Sequence, residues 1–599
     1  MTALAAARRR RASLYLMLAT ALVITACGSN DDGSGKAPTA RPTAVATPTA
    51  TNSPAPTATA TAVATGTTTP TATAPPTATP TDTPTSSPSE TPTASPTPTA
   101  TNVPIQEGTR IAIADGEVEG TLDGGSRRFL KIPFAAPPVG ALRWRPPQPP
   151  LPWDGVLVAD HMSQPCAQRD AITTPASDNE DCLYLNVWTP DPAPSEPRPV
   201  MVWFHGGGNT SGSTADLVPL GVGGLFYNGR TLAETRDVVV VSANYRLNIF
   251  GFLAHPALAA EDPGDPYSGN QALLDQRAAL EWVRDNIAAF GGDPHNVTIF
   301  GESAGSFDVC YHVASPLSRG LFHRAISESG GCTTRQTTLA EAEERTNSLI
   351  DAVGCAQAAD VLACLRALPV SVLLDHSDGF DPIVDGHFLP DQPRTLYDEG
   401  NFAHVPYILG SNTDEGTLFL LGTPPIETEA EYHDALASQF GDRADEIAAA
   451  YPVADFADPT DALARVVGDS GLVCPTYDSA RRAAAGGASV YLYNFDWPVL
   501  GNVIPFLRAT HGAEIAFVFG SVPAPTADDQ LVAMTMQGYW SRFALTGDPN
   551  GDDALVWPAY TDASDQRINL RPQSTIVSGF RRAQCELWWR YYAEDFGAQ

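Results

Sequence analysis

The chain has 599 residues and a net charge of −32, from 36 basic and 68 acidic side chains. That balance repels polyanions, so it argues against a nucleic-acid binder and against a protein docked on anionic lipid by charge. It favours solubility and neutral or cationic substrates.

Four arginines, Arg8 to Arg11, precede an apolar run from Ala12 to Ala26. As a helix this run is about 22 Å long, too short to span a bilayer. It ends in Ile24-Thr25-Ala26-Cys27, which resembles a bacterial lipobox. Residues 1–26 therefore read as a lipoprotein signal peptide, with Cys27 lipidated as the mature N-terminus. Gly28, rather than a retention aspartate, follows it and favours the outer membrane in a two-membrane cell. Residues 27–105 are rich in Thr, Pro, Ala and Ser, as in Thr73-Ala74-Pro75-Pro76-Thr77-Ala78. With almost no large apolar side chains they cannot offset the entropy of folding. Their prolines stiffen them toward polyproline II, a stalk that lifts a domain off a membrane.

Residues 106–599 are globular in composition. Val200-Met201-Val202-Trp203-Phe204 is a short apolar run ending at His205-Gly206-Gly207-Gly208. Four valines between Asp237 and Ser242 suit a strand buried on both faces. Ala272 to Phe290 has helical spacing and stops at Gly291-Gly292. A strand follows, Val297-Thr298-Ile299-Phe300, and then Gly301-Glu302-Ser303-Ala304-Gly305. Another apolar run, Ala403 to Ser411, ends at Asn412-Thr413-Asp414-Glu415-Gly416. Strands alternating with helices predict a mostly parallel sheet, with the working residues at its carboxyl ends. Asp548-Pro549-Asn550-Gly551-Asp552 lacks the closing glutamate of a calcium loop and reads as a surface turn.

A strand, a serine between two glycines, then a helix is the layout of a nucleophile elbow. By itself the five-residue pattern arises by chance in roughly one chain in five of this length. A serine needs a base, a carboxylate to orient the base, and donors for the developing oxyanion. The glycine run supplies bare backbone N–H groups, and the N–H of Ala304 adds another. His205 reads as shaping the glycine loop and His312 as a packing residue. His511, in Thr510-His511-Gly512-Ala513-Glu514, lies in a loop before an apolar segment late in the chain and is one candidate base among the eleven histidines, a choice that spacing alone leaves open. Asp414 and Glu415 are adjacent, and physics alone does not choose the acid. No metal-ligand spacing occurs and the chemistry requires no cofactor. Of nine cysteines, eight remain beside Cys27, an even number that suits disulfides in an oxidising compartment.

These residues resemble the type B carboxylesterase and cholinesterase family of α/β-hydrolases, over nearly all of 106–599. Phe290-Gly291-Gly292-Asp293-Pro294 with the elbow pentapeptide looks like the family's serine signature. Glu180-Asp181-Cys182-Leu183-Tyr184-Leu185-Asn186-Val187 looks like its second. Ile132-Pro133-Phe134-Ala135, Leu142-Arg143-Trp144, Asn244-Tyr245-Arg246 and Leu274-Asp275-Gln276 match as well. The resemblance implies an α/β-hydrolase fold, a large mostly parallel central sheet flanked by helices. It implies Ser303 as nucleophile, Glu415 as acid, His511 as base, and an oxyanion hole of Gly207, Gly208 and Ala304. It further implies Cys166–Cys182, Cys355–Cys364 and Cys474–Cys585 bridges and an Arg143–Glu180 ion pair. It places Glu302 where it tunes the field around His511. Cys310 and Cys332 are left as a fourth bridge or two buried thiols.

The sequence departs from cholinesterases where they hold a quaternary ammonium. The loop from Ala167 to Asp181 has no aromatic residue, and of two aromatics after the acid motif, Leu418 replaces one and Phe419 keeps the other. A cation cage of ring faces is not expected. The expectation is a serine carboxylesterase that acts on a small-molecule ester and is displayed outside the cell. Its membrane contact is through the anchor alone, and its oligomeric state and physiological ester are left open. The rival readings are a non-catalytic surface module on this fold and a lipase, amidase or detoxifying variant. His511 must be neutral to act as base, so activity should fall on the acid side of neutrality.

Overall fold

A computed structural model of the chain describes residues 104–597, apart from 218–224, 263, 265, 500–503 and 552–553. The signal peptide, Cys27 and the stalk as far as residue 103 lie outside the described residues.

An eleven-stranded sheet organises the fold. Its strands are β1 Thr121–Asp123, β2 Ser126–Pro133, β3 Tyr184–Pro190, β4 Arg198–Phe204 and β5 Val239–Ala243. After α1 Gln271–Asn286 come β6 Gly292–Glu302, α2 Ala304–Ala314 and β7 Arg324–Glu328. The last four are β8 Tyr407–Asn412, β9 Val490–Phe495, β10 Gln566–Leu570 and β11 Thr575–Ser578. The spatial order is β11-β10-β9-β8-β7-β6-β4-β5-β3-β2-β1. The run from β10 to β5 is parallel throughout. Both edges are antiparallel. The chain steps from β4 to β5 on one side and returns past β4 to β6 on the other. That reversal puts the carboxyl ends of β4 and β6 at the crevice where ligands bind in such sheets.

Continuous apolar runs form the central strands because both faces are covered. Successive side chains point to opposite faces. Val200, Val202 and Phe204 of β4, with Val297 and Ile299 of β6, enter one core. Met201, Trp203 and Phe300 enter the other. There Trp203 meets the rings of Tyr227, Phe300 and Phe519, with centroids 4.8–5.1 Å away. In α1 the helical spacing buries Leu273, Leu280 and Val283. A short 3₁₀ turn follows and Gly291, at φ +93°, ends it in a conformation that glycine adopts without strain.

Two sequence motifs meet across the core. Arg246 donates to both carboxylate oxygens of Asp275 at 2.7 Å, with both side chains buried. Arg143 grips Glu180 in the same forked way, at 2.6 and 2.5 Å. Among the described residues there are four disulfides: Cys166–Cys182, Cys310–Cys332, Cys355–Cys364 and Cys474–Cys585. The open pair, Cys310 and Cys332, is thus a bridge. It ties α2 to the loop after β7. Asp548 Oδ1 accepts the Asn550 backbone N–H at 3.0 Å, forming a local turn.

Candidate active site

The tip between β6 and α2 is forced by crowding. Ser303 has φ +56° and ψ −122°, a strained conformation for a residue with a side chain. A Cβ on Gly305 would collide with the Phe204 carbonyl, and one on Gly301 would lie 2.6 Å from the Gly305 carbonyl carbon. Only glycine fits on either side, so the serine projects from the turn. Its backbone N–H donates to the Glu328 carbonyl at 2.9 Å, anchoring the tip to β7.

His511 arrives from the turn before the helix Ile515–Phe519. Its Nε2 lies 2.8 Å from Ser303 Oγ and its Nδ1 lies 2.7 Å from Glu415 Oε2. Paired with a carboxylate, Nδ1 carries the hydrogen, which leaves the Nε2 lone pair facing the serine hydroxyl. Glu415 is 1% exposed, and its Oε1 accepts the Asn412 N–H at 2.7 Å. Its neighbour Asp414 turns away to Arg465 and Arg508, at 3.3 and 3.4 Å. The geometry separates two acids that the sequence chemistry left level.

The glycine run leaves β4 beside this tip. Gly207 has φ +107° and a Cβ there would collide with the Ser211 carbonyl; Gly208 has φ +65°. Both are exposed, while Ser303 is half-buried. Gly206 must lack a side chain because a Cβ would sit 2.9 Å from Glu302 Oε2. Ala304 opens α2, so its N–H belongs to the first turn, where no intrahelical acceptor exists. His205 is buried, stacks on Tyr245 at 4.4 Å and shapes this loop. His312 is buried on α2 and bonded to Gln276 and Ser318.

The family model for the carboxylesterase family matches residues 107–588. The chain belongs to the carboxylesterase family. It is 35% identical over 527 residues to an acetylcholinesterase of Bungarus fasciatus, covering 79% of this chain and 83% of that protein. It is 38% identical over 459 residues to a fumonisin B1 esterase of Sphingopyxis macrogoltabida, covering 74% and 83%. The protein is accordingly a carboxylic ester hydrolase on an α/β-hydrolase fold.

In this esterase, acids crowd the imidazole. Glu302 Oε1 is 3.3 Å from His511 Nε2. Glu514 accepts from Ser329 Oγ at 3.0 Å and from the Asn412 amide. Glu328 accepts from Trp540 Nε1 at 2.8 Å. Burial pushes the carboxyls of Glu302, Glu328 and Glu514 up, and they repel one another. Burial alone pulls the His511 imidazole down, but Glu302, Glu415 and Glu514 outweigh it and raise its pKa. Each proton that settles on Glu302 weakens the field holding one on His511. Asn412 and Glu514 stood in the quoted motifs without an assigned role. Their signal was there: Asn412 opens the Asn-x-Asp-Glu-Gly run and Glu514 closes the His-Gly-x-Glu run.

Proposed function

We propose that the esterase works through Ser303, His511 and Glu415. Ser303 Oγ attacks the ester carbonyl as its proton passes to His511 Nε2. The carbonyl oxygen becomes an oxyanion against the N–H groups of Gly207, Gly208 and Ala304. Glu415 orients the imidazole and stabilises the imidazolium. The intermediate collapses, and the alcohol leaves with the His511 proton. His511 then deprotonates a water that attacks the acyl-enzyme, and collapse releases the acid and restores Ser303. One observation carries this reading: the unbroken 2.8 and 2.7 Å chain from Ser303 Oγ through His511 to Glu415. A binding module without catalysis has no need of it.

For the substrate, we read a neutral, bulky small-molecule ester rather than a choline ester. The loop from Ala167 to Asp181 offers no ring face, and Gly207 and Gly208 are exposed. Phe419 is the aromatic beside His511, at 5.2 Å between ring centroids. The fumonisin B1 esterase relative supports an ester other than a choline ester. Outside the cell, Cys27 would carry the lipid and residues 27–105 the stalk; four disulfides suit that compartment.

Hydrolysis of p-nitrophenyl esters from acetate to palmitate, beside Ser303→Ala, tests the reading. Turnover that disappears in the variant supports it, and the chain-length optimum sizes the acyl pocket. Turnover that survives the substitution defeats it. For the anchor, Cys27→Ala should move the protein from the membrane fraction to the soluble one.

A further inference from the structure

The oxyanion donors in this reading come from two segments. Gly207 and Gly208 follow β4, and Ala304 follows β6. Neighbouring strands set their bases, with Phe204 opposite Gly301. Beyond the strand ends, a second connection joins the segments. Asn209, next after Gly208, has φ +55° and is 4% exposed. Its side chain turns back under the loop, and Nδ2 donates to Asp308 Oδ1 on α2 at 3.0 Å. The Asn209 carbonyl accepts the Asn248 N–H at 2.7 Å.

Asp308 is itself held. Its Oδ2 accepts from Gln276 Nε2 of α1 at 2.6 Å. Gln276 Oε1 faces His312 Nε2 at 2.9 Å, and His312 Nδ1 faces Ser318 Oγ at 2.7 Å. Asp308, Gln276, His312 and Ser318 are fully buried. The donors and acceptors assign the chain in one sense. Ser318 donates to His312 Nδ1, His312 Nε2–H donates to Gln276, and Gln276 donates to Asp308. Burial holds the His312 imidazole neutral, as that order requires. Asp308 Oδ2 is therefore an acceptor, and Oδ1 accepts the Asn209 side-chain amide, while burial raises this carboxyl to about 7. One oxygen is filled from α1 and the other from the glycine loop.

We propose that Asp308 is a positioning residue for catalysis: through Asn209 it locks the Gly207–Gly208 donors against the helix that carries Ser303 and Ala304. The inference rests on the Ser303 reading above. Such a lock matters because a donor displaced by about 1 Å costs roughly 100-fold in rate. It acts on the tetrahedral state more than on the planar ester, so kcat carries the loss and KM does not.

The experiment uses the full chain with Asp308→Ala, Asn209→Ala, the double variant and Asp308→Asn. Active sites are counted with an organophosphate, so unfolded protein does not enter. Each alanine variant should lower kcat per site about 10- to 100-fold with KM within about threefold. Affinity for a trifluoromethyl ketone, which forms a tetrahedral adduct, should fall in parallel. The double variant should lose no more than the worse single one. Asp308→Asn should recover most of the rate, because a turned Asn209 amide presents Oδ1 to the new NH₂ group. If Asp308→Ala does not fold, Asn209→Ala decides alone. Hydrolysis surviving Ser303→Ala would remove the reading beneath the inference. With Ser303→Ala inert, a kcat per site within about twofold of wild type for the alanine variants, or multiplicative losses, would overturn the inference itself.

Discussion

Two regions of this esterase bury charge, and they do so in opposite ways. Between Asn244-Tyr245-Arg246 and Leu274-Asp275-Gln276, each charge has its partner. The Arg246 guanidinium forks onto Asp275 and also donates to the Arg145 carbonyl at 2.8 Å. Around His511, the carboxyl groups of Glu302, Glu415 and Glu514 act on one imidazole, and Glu328 in turn acts on Glu302 and Glu514. Glu302 Oε1 and Glu328 Oε2 are buried without a hydrogen bond among the described residues. The first arrangement holds α1 to the core. The second keeps protons in contention beside Ser303, in a turn with a strained backbone. Matched charge marks the scaffold, and unmatched acid marks the chemistry.

That contrast breaks most sharply at Ser303. Ser303→Ala should lower kcat/KM by about 10⁴-fold or more, measured on p-nitrophenyl butyrate, with the melting temperature nearly unchanged. Glu415→Gln should cost about 10³- to 10⁴-fold, because the imidazole loses the group that sets its tautomer. Asp414→Asn, measured beside it, should stay within about tenfold, since Asp414 serves Arg465 and Arg508 instead. Comparable losses at both acids would erase the distinction between them.

Asp275→Ala should behave as a scaffold defect. It leaves Arg246 buried and unpaired, at a cost of about 3–5 kcal/mol in urea unfolding. Activity per folded site should persist. The smallest effect is expected at Glu302. Carboxylates raise the His511 pKa, and His511 must be unprotonated to act. The acid limb of kcat/KM should therefore lie above pH 6.5, the ordinary imidazole value. Glu302→Gln removes a negative charge, lowers that pKa and extends activity to lower pH, by about one unit. An unmoved or raised limb would show that Glu302 carries its own proton there.

Much of the candidate site was legible in the chain because its pattern is local. Gly301, Ser303 and Gly305 are constrained within a single turn, and the apolar strand before them is short and unmistakable. Glycine at 207 and 208 likewise reports a backbone that needs positive φ. Long-range pairing was harder. Nothing in the spacing of Cys310 and Cys332 announces a bridge, since it depends on how α2 meets the loop after β7. Asp414 and Glu415 have the same charge one residue apart; the family resemblance points to Glu415, but in physical terms the arrival of His511 at one and of Arg465 and Arg508 at the other tells them apart. The Asn209–Asp308 contact joins residues 99 positions apart. No periodicity leads from one to the other. The antiparallel edges of the sheet depend in the same way on neighbours distant in sequence.

The proposed covalent acyl-enzyme forms on Ser303 with His511 as its base. Its most direct measurement is the intact and peptide mass of the protein after reaction with a p-nitrophenyl phosphonate. The account expects one phosphonyl group per chain, on the peptide holding Gly301 to Gly305, released with one equivalent of nitrophenol and absent in Ser303→Ala. A label on another residue, or full ester hydrolysis by Ser303→Ala, would contradict it.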